Sequence, residues 1–80
     1  MKNSDRLAVE AFAEKVLGQS RVATITSETL RRQGTNVEEL DARIEKYRAL
    51  APADRLYEIK KNVGEPNDPT NFGLLVRRRG

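Results

Sequence analysis

Five arginines in two clusters, Arg31-Arg32 and Arg77-Arg78-Arg79, are the side chains of this chain best suited to recognition chemistry. A guanidinium stays charged at any working pH and presents a planar fork of donors that matches a phosphate or a carboxylate in bidentate fashion. The second cluster, closed by Gly80, follows an apolar triplet, Leu74-Leu75-Val76. Apolar side chains followed by cations predict a contact segment for an acidic partner. The partner is either a carboxylate-bearing protein surface or the phosphates of DNA, for which a handful of arginines suffices for salt-sensitive affinity. No aromatic residues are interleaved with the arginines, so base stacking has no platform there.

Other residue types are less promising as reagents. Glu38, Glu39, Asp41 and Glu45 are plentiful carboxylates, but they share their segment with Arg43, Lys46 and Arg48, where solvated ion pairs account for them and no apolar pocket raises a pKa. Ser27 and Thr29 have no histidine to act as a base, because the chain contains none. Lys60 and Lys61 lie side by side in a polar stretch, and the glycines at 18, 34, 64, 73 and 80 form no phosphate-cradling loop. There is no cysteine, which excludes disulfides and thiolate metal sites. The expectation is a protein that is not an enzyme and holds no cofactor and no metal.

The elements that must position the arginines are bounded by size. Eighty residues cannot divide their apolar side chains between two stable cores, so one domain is expected. Hydrophobic residues at 38% against charged ones at 34% give a lean core without the composition of full disorder. The formal net charge of +3 serves solubility as readily as nucleic-acid binding. No apolar stretch approaches a membrane span and no h-region follows Met1, so a soluble cytoplasmic protein with no membrane contact is expected.

Val9, Phe12, Ala13, Val16 and Leu17 form one stripe at helical spacing, which predicts a helix over residues 4–17 with Ser4 or Asn3 as cap and Gly18 as stop. Residues 21–26, Arg-Val-Ala-Thr-Ile-Thr, suit a strand. A return strand over residues 29–33 would complete a hairpin, though the turn at Ser27-Glu28 lacks an Asn-Gly or Asp-Gly signal. Val22 and Ile25 have opposite parity, so one regular strand cannot point both inward. A second helix is marked by Thr35 with Glu38, or Asn36 with Glu39, as a capping pair, and by the stripe Val37, Leu40, Ile44, Tyr47 and Ala51, with Pro52 as its end. Leu56, Ile59 and Val63 predict a third short helix over residues 54–63, with strand as the alternative. The fold class expected is α+β: two helices packed on a short β-hairpin, a third short helix, and a flexible basic C-terminal tail. Residues 1–64 would be the folded domain. Residues 65–80, rich in Pro and Asn before the arginines, would be an extended tail that orders on assembly.

In order, these pieces resemble the small phage head-to-tail joining proteins of the lambda W type. The resemblance is carried by an Ala- and Leu-bearing first helix, Arg21-Val22-Ala23-Thr24 after a glycine break, the pair Arg31-Arg32, the capped start Asn36-Val37-Glu38-Glu39-Leu40 and the ending Arg77-Arg78-Arg79-Gly80. It covers about residues 7–50 and the last four; the stretch from 24 to 36 is shorter and lacks a glycine turn, and residues 51–76 look like an added element. The resemblance implies a structural virion protein, present in the host cytoplasm during assembly. Copies would form a ring beneath the portal, contact the portal or adaptor protein and the tail proteins, and leave DNA contact in the channel open. Its contact residues would be Arg31, Arg32, Leu74, Leu75, Val76, Arg77, Arg78 and Arg79. The alternative is a small DNA-binding or regulatory module using the same arginines.

Overall fold

Val9, Ala13 and Leu17 recur every four residues and are buried along one side of helix α1, Asn3–Leu17, with Phe12 and Val16 half-buried beside them. The computed structural model describes residues 1–65 and 67–79. Lys2, not Ser4 or Asn3, occupies the N-cap position, and no side chain caps this helix. Gly18 ends it with φ of 57°, a conformation that costs a residue without Cβ little.

Strand β1 follows at Val22–Thr26, and here the chain departs from the expected hairpin. Residues 29–33 do not return as a strand: Ser27–Arg32 is helix α2. The reason lies in Thr26, whose hydroxyl accepts from the Thr29 N–H at 3.1 Å, while Glu28 stands in the first turn and Arg31 and Arg32 in the last. Those are helix-start and helix-end chemistry, and they prevail where no turn signal supports a hairpin. Helix α3, Val37–Arg48, begins as its capping pair predicts, with the Asn36 side chain accepting from the Glu39 N–H at 3.1 Å. It buries Val37, Leu40, Ile44 and Tyr47.

A single 3₁₀ turn at Pro52–Asp54 leads into β2, Tyr57–Glu65, so the third-helix expectation is corrected in favour of the strand alternative. Tyr57 and Ile59 are buried on alternate positions, whereas Leu56, on which the helical reading depended, is 62% exposed. A further correction concerns residues 65–80. They are not a loose tail outside the folded domain: Asp68–Arg78 is β3, the middle strand of the sheet. Pro66 and the closing Gly80 lie outside the described residues.

The three strands are antiparallel in the order β1-β3-β2. Val22 stands opposite Arg77 and Ile25 opposite Leu74 on one side of β3; Ile59 stands opposite Val76 and Lys61 opposite Leu74 on the other. Phe72, Leu74 and Val76 therefore share the face that meets the helices, and all three are buried. Ile25 also turns inward while Val22 is 51% exposed, which resolves their opposite parity. The chain is α+β: three helices on one face of a three-stranded sheet.

Buried polar groups fasten the sheet to the helices. Ser27, fully buried, accepts from the Phe72 N–H at 3.0 Å through its Oγ and donates to Asn71 Oδ1 at 3.4 Å. The Tyr47 hydroxyl donates to Glu10 at 3.3 Å and accepts from the Leu56 N–H at 3.0 Å. Burial pushes the Tyr47 phenol above its ordinary pKa of 10; the Leu56 N–H opposes the shift and the nearby Glu10 carboxylate adds to it. No helix among the described residues is long and apolar enough to cross a membrane.

Candidate docking surface at the arginine end of the sheet

Alternation along β3 separates the residues that the sequence groups as one contact segment. Leu74 and Val76 belong to the core, 1% and 0% exposed. Leu75 and Arg77 face the other way, onto the sheet face that carries no helix, with Leu75 half-buried and Arg77 exposed. The apolar triplet is thus two core residues and one surface residue.

The three terminal arginines also divide by role. Arg78 shares the inward parity and reaches the end of α1: its Nη1 meets Glu14 at 2.6 Å, its Nη2 donates to the Gly18 carbonyl at 2.8 Å and its Nε to the Ser20 carbonyl at 3.1 Å. Its guanidinium also lies 5.9 Å from the centre of the Tyr57 ring, and the Tyr57 hydroxyl donates to the same Glu14 carboxylate. Arg78 is therefore a clasp between β3 and the α1–β1 loop, with its donors committed internally. Arg79 lies 3.5 Å from Glu58, a carboxylate shared with Arg55 at 3.4 Å. The Arg77 side chain forms no hydrogen bond or ion pair among the described residues, and it projects between Val22 on β1 and Glu58 on β2.

Two cations that the clusters do not include join this end. Arg21, immediately before β1, accepts the Arg78 N–H at its carbonyl at 2.9 Å and lines one shallow cleft with Val22, Glu58 and Arg77 to Arg79. Lys60, opposite Leu75 on β2, shares the open face and is exposed. Reading residues 57–63 with a period of two would have found Lys60, because it sets Glu58, Lys60 and Asn62 against Tyr57, Ile59 and Lys61. Lys61 turns inward, where it pairs with Asp41 at 3.0 Å and lies 4.8 Å from the Phe72 ring centre.

Arg31 and Arg32 are not part of this surface. Arg31 donates to the Thr70 carbonyl at 2.8 Å and stands 3.7 Å from Glu38, so it ties α2 to the start of β3. Arg32 pairs with Glu28 one turn back. Thr70 and Arg78 are eight residues apart on β3, which separates the two clusters by about 26 Å along the strand.

The connection between α2 and α3 has another character. Four residues, Gln33 to Asn36, join the two helices, with Gly34 at φ of 81°, and the β2–β3 hairpin follows α3. This is helix-turn-helix connectivity with a hairpin after it. In that motif the first turns of the second helix meet base edges. Here those turns carry Glu38 and Glu39, with side chains 73% and 53% exposed. All four α3 carboxylates have cationic partners, Glu38 with Arg31 at 3.7 Å, Glu39 with Arg43 at 2.7 Å, Glu45 with Arg48 at 3.1 Å and Asp41 with Lys61 at 3.0 Å, but Glu38 and Glu39 are the ones at the helix start. Among the described residues no three His, Cys, Asp or Glu side chains converge as a metal site. The chain matches no protein-family model, no curated protein and no solved structure.

Proposed function

We propose that this chain is a non-catalytic docking module that engages an acidic protein through the cationic end of its open sheet face. The observation that carries this is the place of the uncommitted cations. Arg77 and Lys60 flank Leu75 and Val22 on the helix-free face, whereas the exposed start of α3 is acidic. Apolar side chains flanked by Arg77 and Lys60, with the neighbouring Glu58 already neutralised by Arg55 and Arg79, suit a carboxylate-bearing protein surface, since Arg pairs bidentately with carboxylates and the central leucine gains from desolvation. In the setting that the sequence resemblance implies, the chain is a head-to-tail connector subunit of a phage virion and the partner is its portal or tail protein.

A second reading is DNA binding, favoured by the helix-turn-helix connectivity of α2 and α3. Glu38 and Glu39 count against it, because that docking sets them beside phosphates.

Fluorescence anisotropy with a short labelled polyglutamate peptide and a short labelled duplex, each across a salt series, tests the two. Docking predicts peptide binding that falls about tenfold or more in the double variant Arg77→Ala/Arg79→Ala and is untouched by Arg31→Ala/Arg32→Ala. Tighter duplex binding with a steep salt slope, lost on Arg31→Ala/Arg32→Ala, would overturn the docking reading and establish the second. Normal incorporation of the Arg77→Ala/Arg79→Ala variant into phage heads would remove the connector role from this surface.

A further inference from the structure

Gly73 lies within the middle strand, opposite Thr26 on β1 and Asn62 on β2. A glycine in such a place weakens a strand, because it adds freedom to the unfolded chain and no side chain to the sheet. The other described glycines have conformational reasons: Gly18 and Gly34 have positive φ, and Gly64 falls between Val63 and Glu65, where the β2–β3 register shifts. Gly73 has neither. Its φ is not positive, its pairs belong to the regular part of both ladders, and a Cβ at this position would meet no other part of the chain within 4 Å. Nothing inside the fold asks for glycine here, and a strand glycine of that kind marks a place where another group approaches the backbone closely.

The side on which it approaches follows from parity. Gly73 alternates with Leu74 and so shares the direction of Leu75 and Arg77, which leaves a notch in the helix-free face. Exposed Thr26 and Asn62 form its side walls, with their backbones about 9–10 Å apart across β3. Along the strand, half-buried Leu75 is about 7 Å away and exposed Arg77 about 13 Å. The floor is bare peptide plane. An aromatic ring on a neighbouring strand is the usual cover for a strand glycine, and neither residue opposite Gly73 is aromatic.

We infer that Gly73 is the seat of an aromatic side chain of the acidic partner, carried on an extended segment with a carboxylate four residues away. This rests on the docking reading and adds to it a residue class that the arginines alone do not select. An extended segment repeats its side-chain direction every two residues, about 7 Å, which is also the period of β3. A ring over Gly73, an apolar side chain over Leu75 and a carboxylate at Arg77 therefore leave one face of that segment at successive two-residue steps. The ring gains contact with the exposed peptide plane and with Leu75, and a side chain at position 73 would hold it away from both.

The test uses a labelled peptide, Glu-Ser-Val-Ser-Tyr-Ser-Val-Ser-Glu, in which an acid stands four residues from the ring in either chain direction, and the same peptide with alanine in place of tyrosine. Binding to the full chain is followed by fluorescence anisotropy and by NMR. The tyrosine peptide should bind at least tenfold more tightly than the alanine peptide and shift the Gly73 α protons upfield through its ring current. Gly73→Ala should bring the two peptides within twofold of each other while keeping the urea midpoint at or above that of the parent. Arg77→Ala should weaken both peptides alike. Equal affinities for the two peptides in the parent would remove the aromatic seat and leave the docking reading standing, whereas binding of neither peptide would remove both. A tyrosine preference that survives Gly73→Ala would place the ring elsewhere, and a lowered midpoint in that variant would show that the fold itself needs the glycine; either result overturns the inference. So would a Gly73 shift that grows with protein concentration alone, by making a second copy of the chain the occupant.

Discussion

The two faces of β3 have opposite fates although their residues alternate within one strand. Phe72, Leu74 and Val76 supply the centre of the core, and Leu75 and Arg77, each next in line, supply the open face. The lesson is that an apolar run before a basic run is not a unit of function once the backbone is extended. A period of two divides it, and the half that packs is no longer available to a partner.

The sharpest way to break this comparison is truncation. Removing residues 74–80 deletes the second half of the middle strand from Leu74 to Arg78, including the β1 partners of Val22 to Ile25, and the remaining chain should show no cooperative unfolding transition in a urea titration followed by circular dichroism. A loosely attached tail would have left the transition in place. Next in size is Leu74→Ala, which opens a cavity at a site only 1% exposed and should cost about 2–5 kcal/mol in the same titration. A loss below about 0.5 kcal/mol, the scale of a surface substitution, would erase the distinction between the two faces.

Ser27→Ala leaves the Phe72 N–H buried without its acceptor and should cost about 1–3 kcal/mol. The expected signature is faster amide exchange at Phe72 than at Leu74. Tyr47 adds a pH dependence. Its folded pKa is raised above the unfolded value near 10, so its contribution is fully present below pH 10 and is lost as pH rises through the folded value. Urea midpoints recorded between neutral and strongly alkaline pH should fall for the parent chain and fall less steeply for Tyr47→Phe.

The smallest stability effect belongs to the open face. Leu75→Ala should cost well under 2 kcal/mol, and Arg77→Ala should remain within about 0.5 kcal/mol of the parent, while both reduce binding to the polyglutamate peptide. Unchanged peptide binding in both variants would leave the open face without a role in docking.

Local chemistry made part of this molecule legible in advance. The stripe of α1, the Asn36 cap with the apolar series of α3, and the strand at residues 22–26 depend on neighbours within four residues, and each is where its side chains demand. The site was legible as composition: arginines beside apolar residues near the C-terminus. Its membership was not. Arg21 and Arg77 are 56 positions apart, and Lys60 joins them only because β2 pairs with β3 in one register. Thr26 as a helix cap was readable, since a Thr before Ser-Glu is helix-start chemistry, yet the β-branched run ahead of it favoured extending the strand pattern instead.

The sequence by itself determined the α+β class, the two longer helices, the stop of α1 at Gly18 and the start of α3 at Asn36, because hydrogen bonds four residues apart and capping side chains act within a turn; the uncapped start of α1 at Lys2 and the end of α3 at Arg48, short of the expected Ala51 and Pro52, were not among them. Only the tertiary structure decided that residues 68–78 form the middle strand and that Arg78 is a clasp while Arg77 faces outward. A strand satisfies its main-chain groups through partners distant in sequence, so its place depends on which edges and which buried faces the rest of the chain offers.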